Sequence, residues 1–334
     1  MADFGDLEIN AEIRKIHEGN PVRPKLKFFY VEHGPGDAET IWEKVKDCDV
    51  ILIEAFGDTE ESRLEEEKVI ASATRPGNDM ERSRVLAFLT KAGEETDILS
   101  AITANCIKYG KELHFVDAYR GSEADNLLEQ AKKNLDDSVA RLRLGEMDLA
   151  LDKYKEYLKF DARADALRER TVVRQVMQLE EARQYDWQGK TIGIIQGAAH
   201  TPTYHEYKKV GPNPNTEKIM PKPIYLYGPA GEIARRYRRH PNTHIPTIEI
   251  KRAFIEDLLI IPEIITREGS VSDFLSESNK ITRKMSRRDV ENYWQILRGT
   301  GSSRQQGESD PLTRIRLIDR DLRGISKHIV EKYS

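Results

Sequence analysis

Two imidazoles and one carboxylate stand where apolar runs of this sequence end. KFFYV is followed by Val31's neighbours Glu32-His33-Gly34, and DVILIEA carries Glu54 near its end. ELHFV is followed by Asp117, and TIGIIQ runs into Gly197-Ala-Ala-His200. If these runs are parallel strands, the polar groups gather at one sheet edge, where open α/β sheets place their ligand crevice. Nitrogens of His33 and His200 with an oxygen of Glu54 form a donor set for Mn, Zn, Co or Fe that leaves positions for water. A metal with an open position activates that water; the same side chains also suit general-base work. Each has a plainer reading. Glu54 inside ILIEAF is costly to bury unless paired, and an Arg partner would suffice. His33 would cap the next helix, and His200, beside Pro202, would be a hydrogen-bonded core histidine. Glu32 is placed to orient a His tautomer, and Asp117, Tyr204 and His205 are expected as neighbours in the cleft. His200 and His205 do not have the i,i+4 spacing that puts two ligands on one helix face.

The elements that must position these groups are visible in the apolar pattern. Strands are predicted at Lys27–Val31, Asp49–Ala55, Glu112–Val116, Thr191–Gln196 and Pro223–Tyr227. Near-continuous Val, Ile, Phe and Tyr suit strands covered on both faces, as in a parallel sheet. Asp37–Lys46 is helical in pattern and completes a βαβ unit. Helices are predicted over Thr59–Ser72, Asp79–Lys91 and Glu94–Tyr109, with a break at Gly93. From Ser122 to about Tyr185 the helical spacing is interrupted at Gly145. Ser286 with Asp289 is a variant capping box, and Leu312–Lys332 reads as a basic helix. The expected fold is three-layer α/β with a largely parallel central sheet, a helical insertion over about residues 58–185 and a basic, mostly helical C-terminal extension. The expected domains are 1–232 and 233–334, with a linker near 299–311, where GTGSSRQQGESDP is linker-like in composition.

At the residues named first, the chain resembles the superfamily of erythromycin-esterase-like, TraB and Tiki proteins, which includes ChaN-like haem binders. Val31-Glu32-His33-Gly34 is similar to its Gly-x-x-His element after the first strand. Ile51-Leu52-Ile53-Glu54-Ala55 is similar to its strand ending in Glu. Gly193-Ile-Ile-Gln-Gly197-Ala-Ala-His200 is similar to its late Gly-x-x-His strand. Glu169-Arg170, with Val172, Val173, Val176 and Met177 behind, is similar to its Glu-Arg helix. Tyr30 stands where a Gly is usual, and Val173-Arg174 replaces a Met-Ala. The resemblance covers about residues 25–205. It implies that His33, Glu54 and His200 line an active cleft and that Arg170 points into it to hold an oxyanion or a substrate carboxylate. Tiki-like members resemble metal-dependent peptidases, erythromycin-esterase-like members use His and Glu as bases on an ester, and ChaN-like members bind haem iron. The expected function is therefore a hydrolase that activates water at a His/Glu cleft and cleaves a peptide, ester or similar bond, with a divalent metal. The alternative on the same scaffold is a non-catalytic ligand or haem binder.

Composition narrows the remaining classes. The chain has 334 residues, 38% hydrophobic and 33% charged, enough apolar content for a core. No run approaches the ~20 apolar residues of a membrane span. The N-terminal MADFGDLEIN has no apolar signal-like run, so cytoplasm is the expected compartment. Cys48 and Cys106 make no disulfide framework. Gly34-Pro35-Gly36 lacks the dinucleotide fingerprint, and no Gly-x-Ser-x-Gly elbow is present. The first 232 residues hold 33 Lys and Arg against 43 Asp and Glu, net −10; the rest hold 20 against 14, net +6. Ala234-Arg-Arg-Tyr-Arg-Arg-His240 combines guanidiniums with an aromatic ring, a pattern for phosphate contact and base stacking. Docking of the basic segment onto the acidic first two-thirds of the chain is favoured over nucleic acid. The expected partners are a small-molecule or peptide substrate and, as an option, further copies of the chain. Nucleic acid enters only through the basic segment, and a membrane does not.

Overall fold

The structure, a computed structural model, describes residues 23–31, 37–55, 59–93, 98–197, 200–220, 228–268, 271–307 and 310–334. In chain order the elements are β1 (Lys25–Val31), α1 (Asp37–Val45), β2 (Val50–Glu54), α2 (Glu60–Thr74), α3 (Asp79–Gly93), α4 (Ile98–Tyr109), β3 (Glu112–Val116), α5 (Glu123–Arg143), α6 (Met147–Ala182), β4 (Thr191–Gly197), α7 (Pro202–Val210) and β5 (Thr216–Ile219). There follow α8 (Pro229–Arg239), α9 (Thr247–Ile255), a π turn (Glu256–Ile260), α10 (Ile261–Glu268), α11 (Val271–Lys284), α12 (Arg287–Gly307) and α13 (Pro311–Tyr333). The chain divides into a sheet unit, Met1–Arg120 with Leu167–Ile224, and a helical unit, Gly121–Ala166 with Tyr225–Ser334. Helix α6 contributes residues to both.

The sheet unit is α/β in three layers. Its five strands lie in the order β3-β2-β4-β1-β5 and every pairing is parallel. Alternate side chains of a strand point to opposite faces, and each face has its own core. Phe29, Val31, Ile51, Ile53 and Phe115 pack with Ile41, Val45, Ile70, Ile102 and Cys106 from α1, α2 and α4. Leu26, Phe28, Tyr30, Leu52 and Ile194 pack with Val172, Val176 and Tyr207 from α6 and α7. Burial on both faces is the reason four strands read as unbroken apolar runs.

The fifth strand departs from expectation. The predicted run Pro223–Tyr227 lies outside the described residues, and the strand paired with β1 is Thr216–Ile219 instead. Its sequence, TEKI, carries two charges because it is a short edge strand with none of its four residues fully buried. Glu217 there pairs with Lys25 at 2.9 Å.

In the helical unit, the C-terminal segment packs with residues 121–166 in one core that includes Leu142, Tyr154, Leu158, Tyr237, Phe254, Trp294 and Ile329. The unit boundary therefore does not fall at residue 232, because α5 and the first part of α6 share this core. Residues 299–307 of the expected linker are helical, as the last part of α12. Gly301 is there for close approach, since a Cβ on Gly145 would lie 2.7 Å from the Gly301 Cα. Helix α12 starts as the Ser286/Asp289 pair predicts: Asp289 N donates to Ser286 Oγ (3.1 Å) and Ser286 N to Asp289 Oδ2 (2.9 Å).

Ion pairs inside this unit absorb much of the basic segment. Arg236 meets Glu249 at 2.7 Å, Arg298 meets Asp148 at 2.9 Å, and Arg238 is paired with the buried Asp165. Tyr237, between these arginines, is a core residue, so the base-stacking role suggested by its sequence context does not hold. The π turn precedes Pro262, whose missing N–H disturbs the helical ladder; Ile261 N bonds Glu256 O in the wider register. It buries Glu256 against Ser278 and Thr282 (3.3 and 3.2 Å) and brings Asp257 Oδ2 to 2.5 Å from the Tyr154 hydroxyl. No described helix is long and apolar enough to cross a membrane.

Candidate active site

Glu54 is the last residue of β2, and the parallel order makes its neighbours the ends of β3 and β4. Gly197, the last residue of β4, donates its N–H to Glu54 Oε2 at 2.9 Å. His200 follows in the turn that leads to α7 and is 5% exposed. Its Nε2 lies 3.1 Å from Glu54 Oε1, and its Nδ1 faces Glu169 Oε1 at 3.6 Å. Glu169, on α6, is 4% exposed. Glu54 thus has the buried partner that its position in an apolar strand demands.

The cation on Glu54 comes from α6, but from Arg168. Its Nη2 lies 2.5 Å from Glu54 Oε1 and 2.6 Å from Asp117 Oδ2, and its Nε donates to Asp117 Oδ1 at 3.0 Å. Asp117, directly after β3, is fully buried and so grips the guanidinium through both oxygens. Gln175 Nε2 then donates to the Asp117 carbonyl (3.0 Å) and to Tyr119 Oη (3.1 Å).

Burial pushes the Glu54 carboxyl up, but His200, Arg168 and the Gly197 N–H together outweigh it and hold it down to about 2. Glu54 is therefore an anion throughout the neutral range. Tyr30, on β1, lies close to Glu54 and Glu169, and burial raises its phenol far above the ordinary range. Its oxygen accepts the Tyr204 N–H at 2.9 Å, tying the start of α7 to the sheet.

Among the residues expected in the cleft, Glu54, His200 and Asp117 come together in this one network. Tyr204 borders it through Tyr30, with its ring edge-on to Phe28. His205 is exposed on α7, its ring set against Tyr204. Glu32 and His33 lie outside the described residues. Arg170 is exposed, which corrects its expected place in the cleft. The reason is helical phase: Arg168, Val172 and Val176 repeat at i,i+4,i+8 and face the sheet, whereas Arg170 and Arg174 face away. That phase was available in the sequence and would have selected Arg168.

Sequence reasoning also missed a second buried imidazole. His114 on β3 lies between Glu67 Oε2 (3.1 Å) and Glu112 Oε1 (3.0 Å), with Trp187 Nε1 also donating to Glu112 at 3.1 Å. Burial works against the imidazolium, but the two carboxylates prevail and raise its pKa. Both ring nitrogens are occupied, and the cluster lies along the edge strand rather than at the strand ends.

Among the described residues no group of three or more His, Cys, Asp or Glu side chains is arranged to hold a metal ion. Of the expected ligands, Glu54 and His200 meet, but Arg168 already supplies the cation between Glu54 and Asp117. The third expected ligand, His33, lies outside the described residues.

Comparison with protein-family models, with curated proteins and with solved structures finds no match for this chain, so the superfamily resemblance rests on the residues quoted for it alone.

Proposed function

We propose that the sheet unit is a hydrolase in which His200, oriented by Glu54, activates water against an ester, peptide or similar bond. The observation that carries this reading is the Glu54–His200 pair, buried at the carboxyl edge of a parallel sheet. Glu54 holds a hydrogen on Nε2, so the nitrogen that gives up and takes back a proton is Nδ1, which faces the Glu169 carboxylate at 3.6 Å. In the reaction, Nδ1 takes a proton from water as the water oxygen bonds to the carbonyl carbon. The same proton then passes to the leaving oxygen or nitrogen as its bond to that carbon breaks. Arg168 is a positioning residue: it fixes Glu54 while Asp117 fixes Arg168.

The test is turnover of a panel of nitrophenyl esters and short peptides by purified protein, beside Glu54→Gln and His200→Gln. Hydrolysis that falls at least about 100-fold in both variants is expected for a base and its orienting partner. Activity unchanged in either variant would overturn the assignment. The metal-dependent form of the reading predicts about one equivalent of Mn, Zn, Co or Fe that is lost in His200→Gln. A haem spectrum without turnover would instead place the haem-binding alternative first.

A further inference from the structure

A second guanidinium lies on the β3 side of this site, and two of its nitrogens have no hydrogen-bond partner among the described residues. Arg63 sits in the first turn of α2, whose start is fixed by the Thr59/Ser62 capping box. It is 8% exposed. Its guanidinium carbon lies 4.8 Å from the centroid of the Tyr119 ring, the ring whose hydroxyl is held by Gln175. Tyr119, Gln175 and Asp117 therefore link Arg63 to Arg168 and so to Glu54.

The nearest carboxylate does not satisfy it. Glu67 Oε1 is 3.9 Å from Arg63 Nε, beyond hydrogen-bond reach, and already accepts Phe115 N at 2.8 Å. The other oxygen of Glu67 serves His114. Arg63 Nε and Nη1 are both buried without a hydrogen-bond partner. Leaving donors of a charged group unmet costs more than leaving neutral ones. Stacking on Tyr119 engages the face of the guanidinium plane, while its N–H groups point outward in that plane. An oxyanion received edge-on is the partner this arrangement lacks.

We propose that Arg63 anchors a carboxylate or phosphate group of the substrate, so that the bond cleaved at His200 belongs to an anionic molecule. The proposal rests on the hydrolytic reading for the word substrate, but the binding itself is measured without turnover. Thermal unfolding is followed in wild type, Arg63→Gln and Arg63→Lys, with glutarate, inorganic phosphate or chloride at equal ionic strength. Glutarate or phosphate is expected to raise the wild-type Tm above the chloride control, to a smaller extent in Arg63→Lys and not at all in Arg63→Gln. The stronger of the two anions identifies the group. No rise over chloride in the wild type, or an equal rise in Arg63→Gln, would overturn the proposal whatever the enzyme assay gives.

Turnover then tests the deeper claim. For matched nitrophenyl esters, butyrate and hemiglutarate, Arg63→Gln is expected to raise KM for the anionic ester roughly tenfold or more, the scale of a charge-assisted hydrogen bond. The neutral ester should change less than about twofold. Equal losses on both esters would reduce Arg63 to a structural residue. Anion binding without hydrolysis of any ester would sink the hydrolase reading and leave the anion site standing.

Discussion

Glu54 in the sheet unit and Glu256 in the helical unit are both buried glutamates, and their surroundings drive them in opposite directions. Glu54 has a guanidinium, an imidazole and a backbone N–H, which keep it ionised down to about pH 2. Glu256, 1% exposed, has the hydroxyls of Ser278 and Thr282, and burial together with the adjacent Asp257 pushes it up to about 8. Asp257, bonded to Tyr154, is pushed by burial to about 6. Burial and the neighbouring Asp257 raise Glu256 against the pull of its two hydroxyls, whereas a carboxyl that meets cations becomes a fixed negative charge. Only the second can orient a histidine.

The largest expected break in this contrast is Arg168→Met. It leaves Glu54 and Asp117 without their guanidinium, and loss of one partner of a buried pair costs about 3–5 kcal/mol. Urea unfolding at pH 7 measures this; a cost below about 1 kcal/mol would mean that water has taken the place of the cation. The next effect is on pH dependence. The depressed Glu54 contributes stability that is whole above about pH 4.5 and is lost as pH falls toward 2. The raised Glu256 does the reverse: its contribution is whole below about 4.5 and is lost as pH climbs through 8, at up to about 1.4 kcal/mol per pH unit. Hydrogen exchange from pH 3 to 9 should show acid loosening the sheet unit and mild alkali the helical unit. Glu256→Gln should remove the alkaline slope while changing stability at pH 5 by less than about 1 kcal/mol.

A finer comparison sets Tyr30→Phe against Tyr154→Phe. Each removes one buried hydrogen bond, worth about 1 kcal/mol. Tyr154→Phe alone should raise a carboxyl pKa, that of Asp257, visible in carboxyl NMR titration. The smallest effect belongs to Arg170→Ala. It should move stability by no more than about 0.5 kcal/mol, as for other exposed positions; a loss as large as that of Arg168→Met would reverse the assignment of the two arginines.

What was legible in the sequence follows the same physics. Four of the strands announce themselves because they are covered on both faces, and β3 is predicted with its observed ends, Glu112–Val116. The end of β2 could be read from Glu54, a charge that an apolar strand holds only at its rim. β5 could not be read, because an edge strand keeps its charges in water. Arg168 was hidden by adjacency to the Glu169-Arg170 pair, although its i,i+4 relation to Val172 pointed inward. The glycines of 299–307 suggest a linker until Gly145 is seen against Gly301. Arg63 carried no signal, since one Arg in an acid-rich helix is ordinary until its burial is known.

The strand order has a consequence for how this chain is made. β4 lies between β2 and β1, yet it is synthesised well after both. While the ribosome works through α2 to α6, β1 and β2 have no strand between them, and their apolar edges wait for residues 191–197. The partners of Glu54 come equally late, 114 residues on for Arg168 and 143 for Gly197. Pairings this distant in sequence are slow to form and leave strand edges open meanwhile. The nascent chain thus passes a long interval with a strand-sized gap at its centre, the period in which a chaperone has the most to hold.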